Sequence, residues 1–390
     1  MTMPSCKHSF SLWPVLMPVF LCLVCTPQGQ DHKDTKGRQE KPVSRETGNV
    51  LKFKRLSYID QQGTGSEAFS FLMPVDWVFQ GGLIWLTDNP GMPATAAFTV
   101  SNPAGTEEFE VFPNQPFFWS TNQQLLGLFP VGSKYFGNEV HPVMNAQQAL
   151  HQVVLPRFRN DVADLSVINE GPVPELARAI SMTSQQQRGV ISKHDAAKVR
   201  IGYYKDGTNM EEEIYAVVES YSFPIQSWTS VTYNTNWTVD YIFSYKAAKD
   251  KLEPASKIFE TITYSFQTNK YWYNKYVQLV EYLIKAQIER IHNIGEFSRK
   301  LAQISDEIRE DNLKSWYERQ AVGDRIAEDF SQYIRGVDEY YDPIEGRPVE
   351  LPAGYDNAWV NASGEYIISD NPNFNPNINS NLNWEPMKKK

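Results

Sequence analysis

Thiols are nearly missing from this chain: its three cysteines, Cys6, Cys22 and Cys25, all fall within the first 25 of 390 positions. Nothing after them can form a disulfide framework, a cysteine zinc site or a thiolate nucleophile. Basic excess is missing as well. Lys and Arg number 37 against 46 Asp and Glu, for a net charge of −9. No extended cationic surface for phosphates follows from that balance, and nucleic acid is excluded as a main partner. Histidines are few and scattered. His32, His141, His151, His194 and His292 show no paired ligand spacing, so no metal is expected. A GxSxG elbow and a GxxxxGK loop are both lacking. Gly63 and Gly65 in QGTGSE precede a strand, where no helix amino terminus waits for a phosphate, so no cofactor is expected either. Carboxylate pairs for glycoside chemistry are set by folding and not by spacing.

Long apolar runs are confined to Phe10–Cys25, behind Lys7 and His8 and ahead of GQDHKDTKGRQEKPVSRETGN. Weak positive start, short apolar middle and polar continuation have the order of a secretory signal. The run is short for a bilayer and carries Pro14 and Pro18, which oppose a stable membrane helix. Residues 1–27 are therefore expected to be a cleaved signal peptide and 28–49 a flexible leader, with the product exported to a periplasm or secreted. The alternative, a lipoprotein acylated at Cys22 or Cys25, has Leu21 and Val24 where a small residue is wanted.

From Leu51 the pattern changes to alternation. LKFKRLSYI and EAFSFLMPVDW read as half-buried strands, and GGLIWL, ATAAFTVSN and EEFEVFP continue them as a meander turned by NPAG. Val143, Ala146, Leu150 and Val153 have helical spacing. The strand DLSVI and a helix opened by Pro174 follow. KVRIGYY, the turn Asp206-Gly207 and EEEIYAVVESYSF read as a hairpin, succeeded by TNWTVDYIFSYKA and KIFETITYSF. The run Glu211, Glu212, Glu213 is read as a solvated edge strand, because alternation sends Glu212 away from its neighbours and no cation loop surrounds it.

Between Trp272 and Tyr340 a seam of Val277, Val280, Ile284, Ile291, Ile294, Leu301 and Ile308 predicts one long amphipathic helix, broken near Asn312. A second helix would carry Leu313, Trp316, Val322, Ile326, Phe330 and Ile334. Gln287, Ser298 and Ser305 interrupt the seam, which favours an intramolecular hairpin and a monomer over a coiled-coil dimer.

FSFLMPVDW (Phe69–Trp77), YYKDGTNMEEEIYAVV (Tyr203–Val218) and FETITYSF (Phe259–Phe266), in this order of strands and helices, resemble the PsbP, Mog1 and DcrB-like group. The resemblance covers residues 50–268. It implies an α+β fold, an antiparallel-sheet α/β sandwich, and a binding or adaptor module rather than an enzyme. This chain departs from it by a helical hairpin at 269–340 and a β-rich aromatic hairpin and extended tail at 341–390.

Aromatic residues make up 13% of the chain, an excess that supplies candidate contact surfaces or core. Trp119, Trp316, Trp359, Tyr366, Phe374 and Trp384 are the candidate binding or docking residues. LPAGYDNAWVNASGEY is similar to the opening of the WW proline-peptide module, although the spacing to Trp384 is too long. In DNPNFNPNINSNLNW, asparagine occupies every second position from Asn371 to Asn383. An extended lid accounts for that comb: Phe374, Ile378 and Trp384 would dock inward while the amides face outward. Asn236 and Asn361 also begin glycosylation tripeptides. The expectation is an exported, non-catalytic binding or scaffold protein for an unknown protein, peptide or glycan. The alternatives are a cofactor-free hydrolase of an envelope polymer and a structural envelope protein that oligomerises through its long helix.

Overall fold

The computed structural model describes residues 50–183, 189–227, 230–286, 292–317, 337–378 and 380–390. The expected signal and leader, Gln287, Ile291 and the seam from Val322 to Ile334 lie outside them. Within them the fold is mixed α/β and mostly sheet. In chain order the strands are β1 (Val50–Ile59), β2 (Glu67–Pro74), β3 (Val78–Trp85), β4 (Ala94–Ser101), β5 (Glu108–Val111), β6 (Gln115–Ser120), β7 (Lys134–Tyr135), β8 (Asn138–Val140), β9 (Ala163–Pro172), β10 (Ile191–Lys205), β11 (Thr208–Gln226), β12 (Val231–Ala248), β13 (Gln267–Thr268), β14 (Val337–Asp342), β15 (Arg347–Pro352), β16 (Asn357–Asn361), β17 (Glu365–Ser369), β18 (Trp384–Pro386) and β19 (Lys388–Lys389).

The largest sheet runs β3-β4-β5-β12-β11-β10-β9, with β6, β7 and β8 attached beside β12. Asp206 and Gly207 both take positive φ, 48° and 82°, and close β10 onto β11 with Lys205 opposite Thr208. That is the two-residue turn whose twist matches paired strands. Tyr241, at φ 47°, marks where β12 changes partner: Asn234–Val239 pair with β6, and Phe243–Lys246 pair with β5. Alternation then divides the long strands between two cores. Tyr215, Val217 and Phe243 join Phe69, Phe98, Phe259 and Trp272 on one side. Ala216, Val218, Trp237 and Val239 join Leu150, Val153 and Val154 on the other.

The helix that covers the second core spans 146–158 and contains a π turn at Leu150–Val154. Pro156 lies just beyond it. A proline ring clashes with the carbonyl four residues back and donates no hydrogen bond, so a widened turn relieves the conflict without ending the helix. The expected edge-strand reading of Glu211–Glu213 is corrected here, because β11 lies between β10 and β12 and Glu212 is fully buried.

A second sheet, β13-β2-β1-β17-β16-β18, brings both ends of the described chain together, with Phe53 opposite Tyr366. Hydrogen bonding thus crosses the expected divisions at 268 and 341. One face of this sheet packs on the small sheet β15-β14-β19 through Phe53, Leu72, Tyr340, Leu351, Tyr366 and Ile368.

The seam after Trp272 does not form one long helix. A helix occupies Lys270–Lys285 and ends at Ala286, another occupies Ile294–Gln303, and helical structure resumes over 310–317. Asn293 starts the second by accepting a hydrogen bond from the Glu296 amide, as capping asparagines do. Ile304 then turns to an extended conformation, φ −74° and ψ 134°. Trp272, Leu279, Val280, Phe297 and Leu301 all pack into the main core, so the apolar seam serves the sheet. Among the described residues, no helix is long and apolar enough to cross a membrane.

Asp60 joins three elements at that core. Its buried carboxylate accepts Trp85 Nε1 at 3.1 Å, Trp272 Nε1 at 2.8 Å, and the amides of Gly63 and Thr64 at 2.9 and 3.0 Å. A buried carboxylate is tolerable when its oxygens are met by several donors, as here.

Candidate functional site

Directly opposed residues of antiparallel strands share a face, and the register of β1, β17, β16 and β18 therefore assembles a surface. Lys52 stands opposite Ile367, Ile367 opposite Trp359, and Trp359 opposite Pro386. One step along, Lys54 pairs with Glu365 and Asn361 with Trp384. Lys52 Nζ lies 3.0 Å from Glu365 and 5.3 Å from the centre of the Trp384 ring. The Asn361 amide donates to Glu365 Oε2 at 2.8 Å. Burial pushes the Glu365 carboxyl up, but the hydrogen bonds from Lys52 and Asn361 prevail and hold it below its ordinary range.

Next to this surface the asparagine comb folds into turns. Asn371 and Asn375 each begin an Asn-Pro-Asn unit. The Asn371 carbonyl accepts the Phe374 amide at 3.1 Å and its side chain accepts the Asn373 amide at 3.0 Å. Asn375 repeats both contacts with Ile378 and Asn377 at the same distances. Proline in the second position presets φ for such a turn, and asparagine in the first closes it twice. Asn377 then grips the backbone of Trp384, accepting its N–H at 2.8 Å and donating to its carbonyl at 3.0 Å.

This corrects the extended lid. A strand would have sent every asparagine to one face, whereas two successive turns bring Phe374 back against Trp359, edge-on at 5.5 Å between ring centres. Trp384 and Pro376 are buried, but Ile378 is 65% exposed and does not dock. Asn379 lies outside the described residues. Asn373, Asn375, Asn377, Asn381 and Asn383 are exposed, and the first two flank Phe374 in the chain.

Of the six candidate residues, the structure gathers Trp359, Phe374 and Trp384 in this region and places the others elsewhere. Trp119 is half-buried on β6 against the second core. Trp316 donates Nε1 to the Thr268 carbonyl at 3.0 Å and meets Tyr317 edge-on. Tyr366 is fully buried and donates its hydroxyl to Asp342 at 2.8 Å, and burial pushes its ionisation upward. These three are packing residues. Lys52, Asn361, Glu365 and Asn377 were not visible as site residues in the sequence. The repeated Asn-Pro-Asn was the one local signal that could have pointed to Asn377. Asn361 is buried with its amide committed to Glu365, which removes it as a glycosylation acceptor.

A second polar constellation sits inside the large sheet. Arg159 donates to both oxygens of Glu212 and, through Nη2 at 2.6 Å, to Glu110. Tyr203 adds a hydrogen bond to Glu212 at 3.1 Å, and Lys246 pairs with Glu108 and Glu110. Burial alone would raise the Glu212 carboxyl, yet Arg159 holds it below its ordinary range. A general acid for glycoside cleavage needs a raised value, so this carboxylate is held in the wrong state for that role. Among the described residues no group of three or more His, Cys, Asp or Glu is arranged to hold a metal ion.

The sequence matches no protein-family model, and no similar chain was found among curated proteins.

Proposed function

We propose that this is an exported, non-catalytic binding or scaffold protein, and that it holds a glycan on the face around Trp359. The observation that carries the reading is the half-buried Trp359–Phe374 pair, whose Phe374 is flanked in the chain by exposed asparagines with backbones fixed by turns. Sugars present apolar C–H faces that stack on aromatic rings, and hydroxyls that amides both donate to and accept from. Turns that are already closed lose little freedom when a ligand arrives, so the backbone that carries the amides is pre-organised; the Asn377 amide is spent on Trp384 and holds the turn rather than the ligand. Lys52 and Glu365 would add one charged donor and one charged acceptor at the margin.

The same proposal reads residues 50–268 as a variation on the PsbP and Mog1-like sandwich, and 269–340 as a helical hairpin packed on it. Support comes from helices lying on both sides of a large sheet that is antiparallel except where β6 meets β8. Export rests on the order of residues around Phe10–Cys25. A monomer is supported by the use of the helical apolar seam within the chain's own core.

Calorimetric titration with chitohexaose and cellohexaose, and pull-down on purified peptidoglycan sacculi, test the site. Binding to at least one is expected, with Trp359→Ala weakening it tenfold or more while the variant still unfolds cooperatively, and Trp359→Phe, which keeps a ring against Phe374, weakening it less. Absence of binding to all three, or equal binding by the alanine variant, removes the glycan reading.

A further inference from the structure

One end of the molecule carries a surface of a different character. Charged residues make up 21% of the chain, yet none occurs from Val111 to Ser133 or from Ser220 to Val239. The fold sets residues 115–121 of the first beside residues 233–239 of the second. β6 pairs with β12 from Ser120–Asn234 to Gln115–Val239, and beyond the pairing the Thr121 amide donates to the Tyr233 carbonyl while the Tyr233 amide donates to the Thr121 hydroxyl.

The end so formed is tipped with exposed apolar side chains. The helix Gln123–Leu128 buries none of its residues, and Leu128 is 76% exposed. Val131 and Phe136 follow at 57% and 50%, with the exposed Lys134 between them neutralised by Asp88, and Ile225, Val231 and Tyr233 are exposed on the adjoining strand ends. Phe136 has φ 48°, a left-handed conformation that a bulky residue adopts only at a cost. Its neighbour Tyr135 is stacked on Phe118 at 4.2 Å, which fixes the loop and leaves the Phe136 ring outward. Asn122, Gln123, Gln124 and Thr232 flank these tips with neutral polar groups.

We propose that this end is a docking surface for the interface of a zwitterionic lipid bilayer. Apolar tips above neutral amide, hydroxyl and tyrosine groups match the graded polarity between acyl chains and headgroups, where aromatic side chains concentrate. The charge balance selects the lipid class. An anionic membrane attracts clustered Lys and Arg, of which these stretches have none, and it repels a chain of net charge −9. Insertion is shallow, because the side chains extend from a short helix, a loop and strand ends, and among the described residues no helix is long and apolar enough to span.

The test is hydrogen exchange on the full chain, with and without phosphatidylcholine vesicles. It reads each segment separately, whatever the amino-terminal residues do. Slower exchange is expected over 121–137, 220–227 and 230–236 when vesicles are added, and a smaller effect with phosphatidylglycerol vesicles. The double variant Leu128→Glu, Val131→Glu should lose the protection while keeping its melting temperature, since both side chains are exposed. Unchanged exchange in these segments overturns the proposal, as does stronger protection by the anionic vesicles. Protection that follows protein concentration without lipid overturns it in favour of a second copy of this chain.

Discussion

Arg159 grips Glu212 with two hydrogen bonds, Nε to Oε2 at 2.7 Å and Nη2 to Oε1 at 2.5 Å, at a point where the carboxylate has no solvent exposure. Removing one partner of such a pair strands the other charge. Arg159→Ala is expected to cost about 3–5 kcal/mol in urea unfolding, whereas a joint Arg159→Met, Glu212→Met change should cost less. A single change milder than the double one would count against the pairing.

The same contact sets an acid limit. Glu212 is held below its ordinary range in the folded chain, so the unfolded chain binds the proton first as pH falls. Its contribution is whole above the unfolded value, 4.5, and is lost as pH drops through the lower folded value. Glu212→Gln should therefore flatten the stability curve below pH 4. Parallel curves for the two proteins would refute this.

Glu260 has the opposite sign. Burial raises its carboxyl to about 7 from 4.5, opposed only by Lys257, and its Oε2 has no hydrogen-bond partner. The folded chain thus keeps a proton the unfolded chain releases. Stability from this group is complete below 4.5 and is lost as pH rises through 7. Glu260→Gln should stabilise the protein by about 2–3 kcal/mol at pH 8 and little at pH 4.5, as measured by chemical denaturation. Equal effects at both pH values would exclude the shift.

Asp60 gathers four donors, and Gly63 leaves the room for it: a Cβ there would collide with the Trp85 ring and the Asp60 carboxylate. Asp60→Ala is expected to destabilise by roughly 3–5 kcal/mol, since several buried N–H groups lose their acceptor together. Gly63→Ala should move in the same direction, and both should alter tryptophan emission. A neutral Gly63→Ala would show that the loop relaxes freely.

In the tail, the effects should separate by contact and not by residue type. Trp384→Ala should cost about 3–5 kcal/mol and Asn377→Ala about 1–2 kcal/mol, because Asn377 clamps the Trp384 backbone. Ile378→Ser, at an exposed position, should stay within about 0.5 kcal/mol. Thermal melts of the three variants would reveal any other order.

Local chemistry was enough to read several of these elements. Period-two alternation in LKFKRLSYI marks β1, Asp206-Gly207 requires a hairpin turn, and Pro174 opens the helix to Thr183. These follow from φ preferences and side-chain period, which a residue carries wherever it is placed. The aromatic surface was half legible. Trp359, Phe374 and Trp384 stood out by type, but so did Trp119, Trp316 and Tyr366, because a ring suits a core and a ligand face equally.

What only tertiary structure decided was which distant partner each group meets. β1 bonds to β17 from the other end of the chain, and no local pattern names a strand's neighbour. Glu212 resembled a solvated residue until Arg159, from a different element, arrived to neutralise it and allow its burial. The asparagine comb fits an extended strand by spacing alone. It became turns because proline presets φ, asparagine closes each turn on itself, and Asn377 finds the Trp384 backbone only once the chain has folded back.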